Sequence, residues 1–207
     1  KLLPGYDMIS NAALANDGDG RDADASDPGD WTTATEANDP NGLFYQCGSL
    51  DPATNRYTGE QSSWHGTQVA GIIAAITDNG IGMAGVGPNL RVLPVRVLGK
   101  CGGYDSDIIA AMRWAAGLVV QGVPPNLNRA RVINMSLSGG GGCTSAYRDV
   151  VAEVNAAGTV VVAAAGNSEG HAAGAPANCD GVIAVAALRH AGTKVGFSDL
   201  GPEIAIS

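Results

Sequence analysis

The sequence is poor in aromatic residues and in positive charge, and it contains no long apolar run. Aromatic residues make up only 5% of the 207 positions, whereas glycine alone takes 30, so close backbone approaches matter more here than the packing of large rings. The longest apolar stretch, Ile108 to Val120, is interrupted by Arg113 and is too short to cross a bilayer. Lysine and arginine form no basic stripe, which the neutralisation of nucleic-acid phosphates requires. We therefore expect neither a membrane segment nor a nucleic-acid partner.

The excess negative charge lies in the first 60 residues. That segment holds eleven acidic and three basic side chains, which account for the whole formal net charge of −8, and the rest of the chain is balanced. Apolar residues make up 45% of the sequence, which is enough to build one core at this length. We predict a single domain over residues 1–207.

The four cysteines are widely spaced, and no Cys-x-x-Cys pair indicates zinc or redox chemistry. Two disulfides are favoured, and they imply an oxidising, extracytoplasmic compartment. The alternative is four buried free thiols in a cytosolic protein. Four cysteines allow three pairings, and composition does not choose among them.

From about residue 61, short β-branched runs alternate with helical patterns. The predicted strands are 91–98, 131–135, 158–164 and 181–185, and the predicted helices are 64–76, 106–121 and 145–157. This alternation predicts right-handed crossovers and a mostly parallel sheet, and the continuous apolar run at 159–163 is typical of a strand buried on both faces. Before residue 61 we predict one strand at 3–9, followed by a long loop.

A histidine lies at the first turn of a predicted helix that is rich in small residues. Because Gly66, Ala70 and Gly71 have little side chain, we expect this helix to be buried against a neighbour and to hold His65 rigidly. A general base needs such placement. A histidine beside a core helix can also be purely structural, and the segment alone leaves both interpretations open.

An asparagine follows the predicted strand at 158–164. The carboxyl ends of strands in open α/β sheets are where ligands bind, and the Asn167 amide can donate a hydrogen bond to a developing oxyanion without carrying charge. The alternative is a turn asparagine after Gly166.

Three motifs occur in one order: His-Gly-Thr-x-Val-Ala-Gly at His65, Val-Ile-Asn-Met-Ser-Leu-Ser-Gly at Val132–Gly139, and Ala-Ala-Ala-Gly-Asn-Ser at Ala163–Ser168. Together they closely resemble the subtilisin family of serine endopeptidases, and the resemblance runs through essentially the whole chain. It implies a three-layer α/β/α fold with a mostly parallel central sheet. The acidic region at about residues 11–60 resembles an insertion found in secreted bacterial members.

The resemblance assigns roles to individual residues. His65 matches the catalytic base, and Asn167 matches the oxyanion-hole donor. Two short segments match the walls of the primary specificity pocket, and a third matches the edge that pairs with the substrate backbone. In that order they are Ser136, Leu137 and Ser138; Ala164, Ala165 and Gly166; and Gly102, Gly103 and Tyr104.

The sequence departs from the family pattern at the other two members of the catalytic triad. It contains neither the Asp-Thr-Gly or Asp-Ser-Gly turn nor the Gly-Thr-Ser-Met-Ala segment, and Asp7 matches a later strand. We expect the chain to be a fragment cut at both ends. The alternative is a catalytically inactive, calcium-stabilised domain that binds peptides. A small-molecule binding protein is less favoured, because phosphate-type glycine motifs are absent.

Six aspartates occur within residues 17–30, with only Arg21 to offset them. Clustered carboxylates repel one another unless a cation neutralises them, and oxygen ligands favour Ca²⁺. The resemblance to calcium-stabilised subtilases favours this interpretation over a solvated acidic loop. The predicted ligands are Asp17, Asp19, Asp22 and Asp30, with Asp24 and Asp27 as further candidates and Asn79 in a second, separate loop.

The resemblance also favours the disulfide pairs Cys47–Cys101 and Cys143–Cys179 among the possible pairings. It implies a secreted protein that acts on polypeptides, folds with the help of a pro-segment and is monomeric. His171 and His190 match no motif of the family, and we interpret them as surface residues.

Overall fold

The computed structural model describes residues 1–207, and the chain divides into two units, Lys1–Ala111 and Met112–Ser207. The first unit contains two small sheets. Strand β1 (Tyr6–Asp7) pairs in parallel with β4 (Val95–Arg96), and β2 (Leu50–Asp51) pairs antiparallel with β3 (Arg56–Tyr57).

The first unit also contains three helices, α1 (Ala12–Ala15), α2 (Ala34–Ala37) and α3 (His65–Ala74). Helix α2 begins with a capping box, in which Thr33 and Glu36 satisfy each other's backbone N–H groups. One cluster of buried apolar side chains packs around α1. Its members are Ile9, Leu14, Ala15, Phe44 and Cys47.

Helix α4 (Asp105–Ala115) carries the chain from the first unit into the second. Within the first unit, the buried carboxylate of Asp107 accepts hydrogen bonds from the backbone and hydroxyl of Ser10 and pairs with Arg21 at 2.6 Å. Arg21 lies in the acidic segment, so this pair holds that segment to the start of α4.

The second unit is built on a four-stranded parallel sheet in the order β5–β6–β7–β8. Its strands are β5 (Val132–Met135), β6 (Val160–Ala164), β7 (Val182–Val185) and β8 (Ile204–Ile206). Helix α5 (Ser145–Ala156) connects β5 to β6, with Thr144 as its N-cap. It buries one apolar face, which consists of Tyr147, Val150, Val151 and Val154.

The predicted α/β class with mostly parallel strands is confirmed, but several helices and strands are shorter than the sequence patterns indicate. The helix predicted over 106–121 ends at Ala115, because Gly117 adopts a positive φ of 77° and the Asn126 amide caps the carbonyls of Trp114 and Ala115. The predicted loop region at 11–59 contains α1, α2 and the β2–β3 hairpin.

Two predictions of burial are wrong. Helix α3 is largely exposed: no atom beyond the helix lies near the Cβ positions of Gly66 and Gly71, and Ile72 is 54% exposed. Small residues permit close packing, but nothing lies beside these two. Strand β6 buries Val161 and Ala163, whereas Val160 is 42% exposed, so this strand is not buried on both faces along its whole length. None of the helices combines the length and the apolar character that a membrane crossing needs.

Candidate functional site

His65 is the first residue of α3, and the chain that leads into it is held by an aspartate. Trp64 adopts a left-handed conformation with φ of 50° and provides no side-chain cap. The His65 N–H donates to the Ser63 hydroxyl at 3.3 Å. Asp30 in turn accepts from the Ser63 N–H and from its hydroxyl, each at 2.6 Å. The His65 side chain is exposed, so a reacting group can reach it.

Asn167 lies in a turn that directly follows β6, as the strand pattern predicts. Gly166 has a positive φ of 119°, a conformation that glycine adopts without strain. The Ser168 N–H donates to Asp199 Oδ1 at 2.8 Å, and the Asp199 N–H donates to the Gly166 carbonyl at 3.0 Å. The Asp199 side chain is buried. Sequence reasoning missed Asp199, because no local pattern links position 199 to the turn at 166–168.

A cavity of about 430 Å³ opens beside Asn167 in the second unit. Most of the residues predicted as pocket walls line it. They are Ser136, Leu137, Ser138, Ala164 and Gly166, joined by Gly139, Gly140, Gly141, Asn167, Ser168, His171, Ala172, Gly174 and Asp199. Ala165 does not line the cavity; it is buried, and its N–H donates to the Val185 carbonyl at 2.9 Å. His171 and His190 are exposed, and His171 is at the cavity wall.

The predicted substrate edge forms a tight turn in the first unit. Gly99 and Gly102 exchange backbone hydrogen bonds of 2.8 and 3.2 Å. A Cβ on Gly103 would lie 2.2 Å from the Val97 carbonyl oxygen, so only glycine fits there. Tyr104 is 40% exposed. A second cavity, of about 370 Å³, adjoins the turn. Its lining comprises Asp30, Gln46, Cys47, Gly48, Glu60, Leu98, Gly99, Cys101 and Gly102.

A buried lysine anchors the turn to the acidic region. Lys100 pairs with Glu36 at 2.5 Å, and its ammonium lies 4.6 Å from the ring centre of Phe44 and 5.9 Å from that of Trp31. Hydrogen bonding to Lys100, aided by the Thr33 N–H, holds the pKa of Glu36 below its usual value. The charge pair therefore joins α2 to the turn that contains the predicted substrate edge.

Three of the predicted calcium ligands lie together. Asp17, Asp19 and Asp22 each offer a carboxylate oxygen within 4.8 Å of the others. Hydrogen bonding and charge repulsion from Asp22 raise the pKa of Asp19, as crowded carboxylates require. Asp17 also pairs with Arg96 at 2.8 Å.

The other predicted ligands are engaged elsewhere. Both Asp30 oxygens bind Ser63. Asp24 accepts from the Ser26 N–H, and Asp27 accepts from the Gly29 N–H. Asn79 Oδ1 accepts from the Ile81 N–H at 3.0 Å in its own loop. Three of the predicted calcium ligands therefore lie together. The other predicted ligands bind groups in their own turns or bind Ser63.

Both predicted disulfides are present. Cys47 bonds to Cys101, 54 positions further along, and Cys143 bonds to Cys179, 36 positions further along. No free cysteine remains. Each bond lies within one unit.

Comparison with known proteins identifies the class to which this arrangement belongs. The structure superposes on a protease from Pseudoalteromonas arctica with a TM-score of 0.86 and 48% identity, over 98% of this chain and 55% of that one. The chain therefore has a subtilisin-like α/β fold. A family model described as the subtilase family matches residues 9–207. The chain belongs to the subtilase family.

Individual relatives carry related names. An extracellular protease of Xanthomonas campestris is 48% identical over the whole chain, and an extracellular basic protease of Dichelobacter nodosus is 44% identical over 98% of it. Subtilisin DY of Bacillus licheniformis is 40% identical over 69% of the chain and 49% of its own length. The chain spans 33% and 32% of the first two relatives.

Proposed function

We propose that the chain is part of a secreted serine endopeptidase of the subtilisin type, within a single peptidase domain. The observation that carries this proposal is the Asn167 turn, which places a neutral amide donor at a strand's carboxyl end beside a cavity of about 430 Å³. The names of the relatives support it. Because those relatives are about three times longer, the lack of two triad members within residues 1–207 gives no support to the inactive alternative.

In the proposed mechanism, His65 takes the proton of a serine hydroxyl and later returns it to the leaving amine. The Asn167 amide stabilises the oxyanion of the tetrahedral intermediate without adding charge. The proposal requires that the serine and the aspartate that complete the triad lie in sequence outside residues 1–207. His65 and Asn167 alone do not hydrolyse a peptide at a useful rate, because the triad acts as a unit.

Polypeptides are the proposed substrates. An extended peptide would bind along Gly102, Gly103 and Tyr104 through backbone hydrogen bonds, as an added strand does. The side chain of the substrate residue that precedes the scissile bond would enter the cavity between Ser136–Ser138 and Ala164–Gly166. Its lining combines small residues with polar groups, which suits a broad range of side chains.

Calcium is the proposed cofactor. Asp17, Asp19 and Asp22 would supply oxygen ligands, and the mutual crowding that raises the pKa of Asp19 is relieved when a cation neutralises the group. Because Asp17 also binds Arg96, the same carboxylate would contact both the ion and β4. A weaker second site at Asn79 stays a prediction.

Secretion is proposed from the two disulfides and from the extracellular relatives. Assistance by a pro-segment and a monomeric state also stay predictions. Refolding yield with and without the pro-segment, and light scattering of the mature protein, measure them directly.

The test of the proposed function uses the full-length protein and a chromogenic peptide. The variant N167A should lower kcat by about 10² to 10³-fold, the loss known for an oxyanion donor in subtilisin, and H65A should lower it further. The variant H190A, at an exposed histidine outside the site, is the control. Absence of cleavage by the wild type, or an unchanged kcat in N167A, would refute the proposal.

A further inference from the structure

A single residue binds the peptide groups on both sides of Asn167. The Ser168 N–H belongs to the peptide group that follows Asn167, and it donates to Asp199 Oδ1 at 2.8 Å. The Gly166 carbonyl belongs to the peptide group that precedes Asn167, and it accepts from the Asp199 N–H at 3.0 Å. Asp199 therefore contacts both planar groups that meet at the Asn167 Cα.

These two contacts fix the direction in which the Asn167 side chain leaves the backbone. A peptide group is planar, so φ and ψ of a residue are rotations between its two flanking planes. When both planes are held, the direction of the Asn167 Cα–Cβ bond is held as well, and only the side-chain torsions remain. The fit is close, because a Cβ on Gly166 would lie 2.3 Å from Asp199 Oδ2.

Asp199 is itself held firmly. Asp199 as a whole residue is only 2% exposed. The hydroxyl of the preceding residue, Ser198, accepts from the Ala187 N–H at 2.9 Å, just beyond β7. On the other side, the Leu200 N–H donates to the His171 carbonyl at 2.9 Å. The Asp199 carboxylate therefore lies on a segment that has its own hydrogen bonds outside the Asn167 turn. Its position is not set by that turn alone.

We propose that Asp199 is a positioning residue that holds the Asn167 amide where the oxyanion develops. The inference rests on the proposed function of Asn167 as the oxyanion donor. Such donors stabilise a transition state because they are aligned before the reaction begins, and a displacement of about 1 Å can cost about 10²-fold in rate. Asp199 does not touch the substrate in this role; it acts through Asn167.

The competing role for Asp199 is selection of a basic substrate side chain, since its carboxylate lines the cavity. The structure favours positioning, because Oδ1 is bonded to Ser168 and the Asp199 N–H is bonded to Gly166. The two roles predict different kinetics: positioning changes kcat for every peptide, whereas charge recognition changes KM for peptides with lysine or arginine before the cut.

The experiment is a double-mutant cycle in the full-length protein, with D199A, N167A and D199A/N167A assayed on matched peptides that carry phenylalanine or lysine before the cut. We expect D199A to lower kcat by about tenfold or more for both peptides, with KM within about twofold. In the N167A background the same change should alter kcat by less than about twofold, because the group that Asp199 positions is gone.

Two further variants separate geometry from charge. D199N keeps an acceptor oxygen for the Ser168 N–H and should retain kcat within about threefold. E169Q, at an exposed neighbour outside the cavity lining, makes the same charge change and should leave kcat unchanged. If D199A does not fold, D199E replaces it in the cycle, because one added methylene displaces the acceptor.

Three outcomes would overturn the inference. They are an equal loss from D199A with and without Asn167, a loss confined to KM for the lysine peptide, and an unchanged kcat in D199A. If instead N167A retains the kcat of the wild type, the proposed function fails, and the two failures are therefore distinguishable.

Discussion

Asp30 holds Ser63 by two hydrogen bonds of 2.6 Å, one from the backbone N–H and one from the hydroxyl. Asp30 belongs to the acidic segment, whereas Ser63 lies two positions before His65 and accepts from its N–H. The acidic segment is therefore attached to the chain that places the proposed base. This attachment gives Asp30 a different task from the three clustered aspartates.

We expect D30A to lower kcat/KM of the full-length enzyme by about tenfold, because the residues before α3 lose their anchor and His65 is less well placed. Calcium affinity, measured by titration calorimetry, should be unchanged. D19N is the matched control. It should weaken calcium binding and leave kcat/KM unchanged. A weaker calcium affinity in D30A would instead make Asp30 a ligand.

Removal of calcium should destabilise the protein. An ion that binds only the folded state, at about 100 times its Kd, adds about 2.7 kcal/mol, so chelation should lower Tm by about 5 °C or more. Differential scanning calorimetry with and without EDTA measures this. In a D19N/D22N variant the shift should fall to the part that the weaker Asn79 site contributes, and persistence of the full shift there would place the ion elsewhere.

The pH dependence of stability should show the buried carboxyl of Asp7. Burial raises its pKa to about 6 from the ordinary 3.8, against the lowering effects of the Ile9 N–H and the Arg96 guanidinium. Between these two values the folded state holds a proton that the unfolded state has released. The contribution of Asp7 to stability is therefore full below pH 3.8 and is lost as pH rises through 6.

Urea unfolding of wild type and D7N at pH 4, 5, 6 and 7 measures that contribution. The free energy of unfolding of the wild type, relative to D7N, should fall by about 2 kcal/mol between pH 4 and pH 7. Above pH 7 this relative free energy of unfolding should not change further. A relative stability that rises with pH would mean that the pair with Arg96 outweighs burial.

The disulfide of the second unit should contribute substantially to stability. Cys143–Cys179 closes a loop of 36 positions, and the chain-entropy model assigns such a loop about 4 kcal/mol. The variant C143A/C179A should lose this amount in urea unfolding, while mass spectrometry confirms that Cys47–Cys101 remains. A loss below about 1 kcal/mol would show that the unfolded chain is already compact there.

Much of the second unit could be predicted from the sequence. The α5 face of Tyr147, Val150, Val151 and Val154 follows directly from helical spacing. The position of Asn167 after β6 follows from a β-branched run that ends at glycine. These features are local, so a short window of sequence contains the physics that forms them.

The remainder depends on contacts between distant positions. The bonds of Asp199 to the turn at Asn167 span about thirty positions, and those of Asp30 to Ser63 span 33. Composition showed a cluster of aspartates but not which of them would meet. The burial predicted for α3 failed for a related reason: small side chains permit close packing, but they do not specify the partner.

Each disulfide joins two cysteines of the same unit, so oxidation of one pair requires no residue of the other. In the proposed secretion of this protein with its N-terminal side first, Cys101 is exported before Cys143 and Cys179, so Cys47 can pair with Cys101 before the second pair is available. Two oxidation events in that order would leave no thiol of the first unit available for wrong pairing with the second.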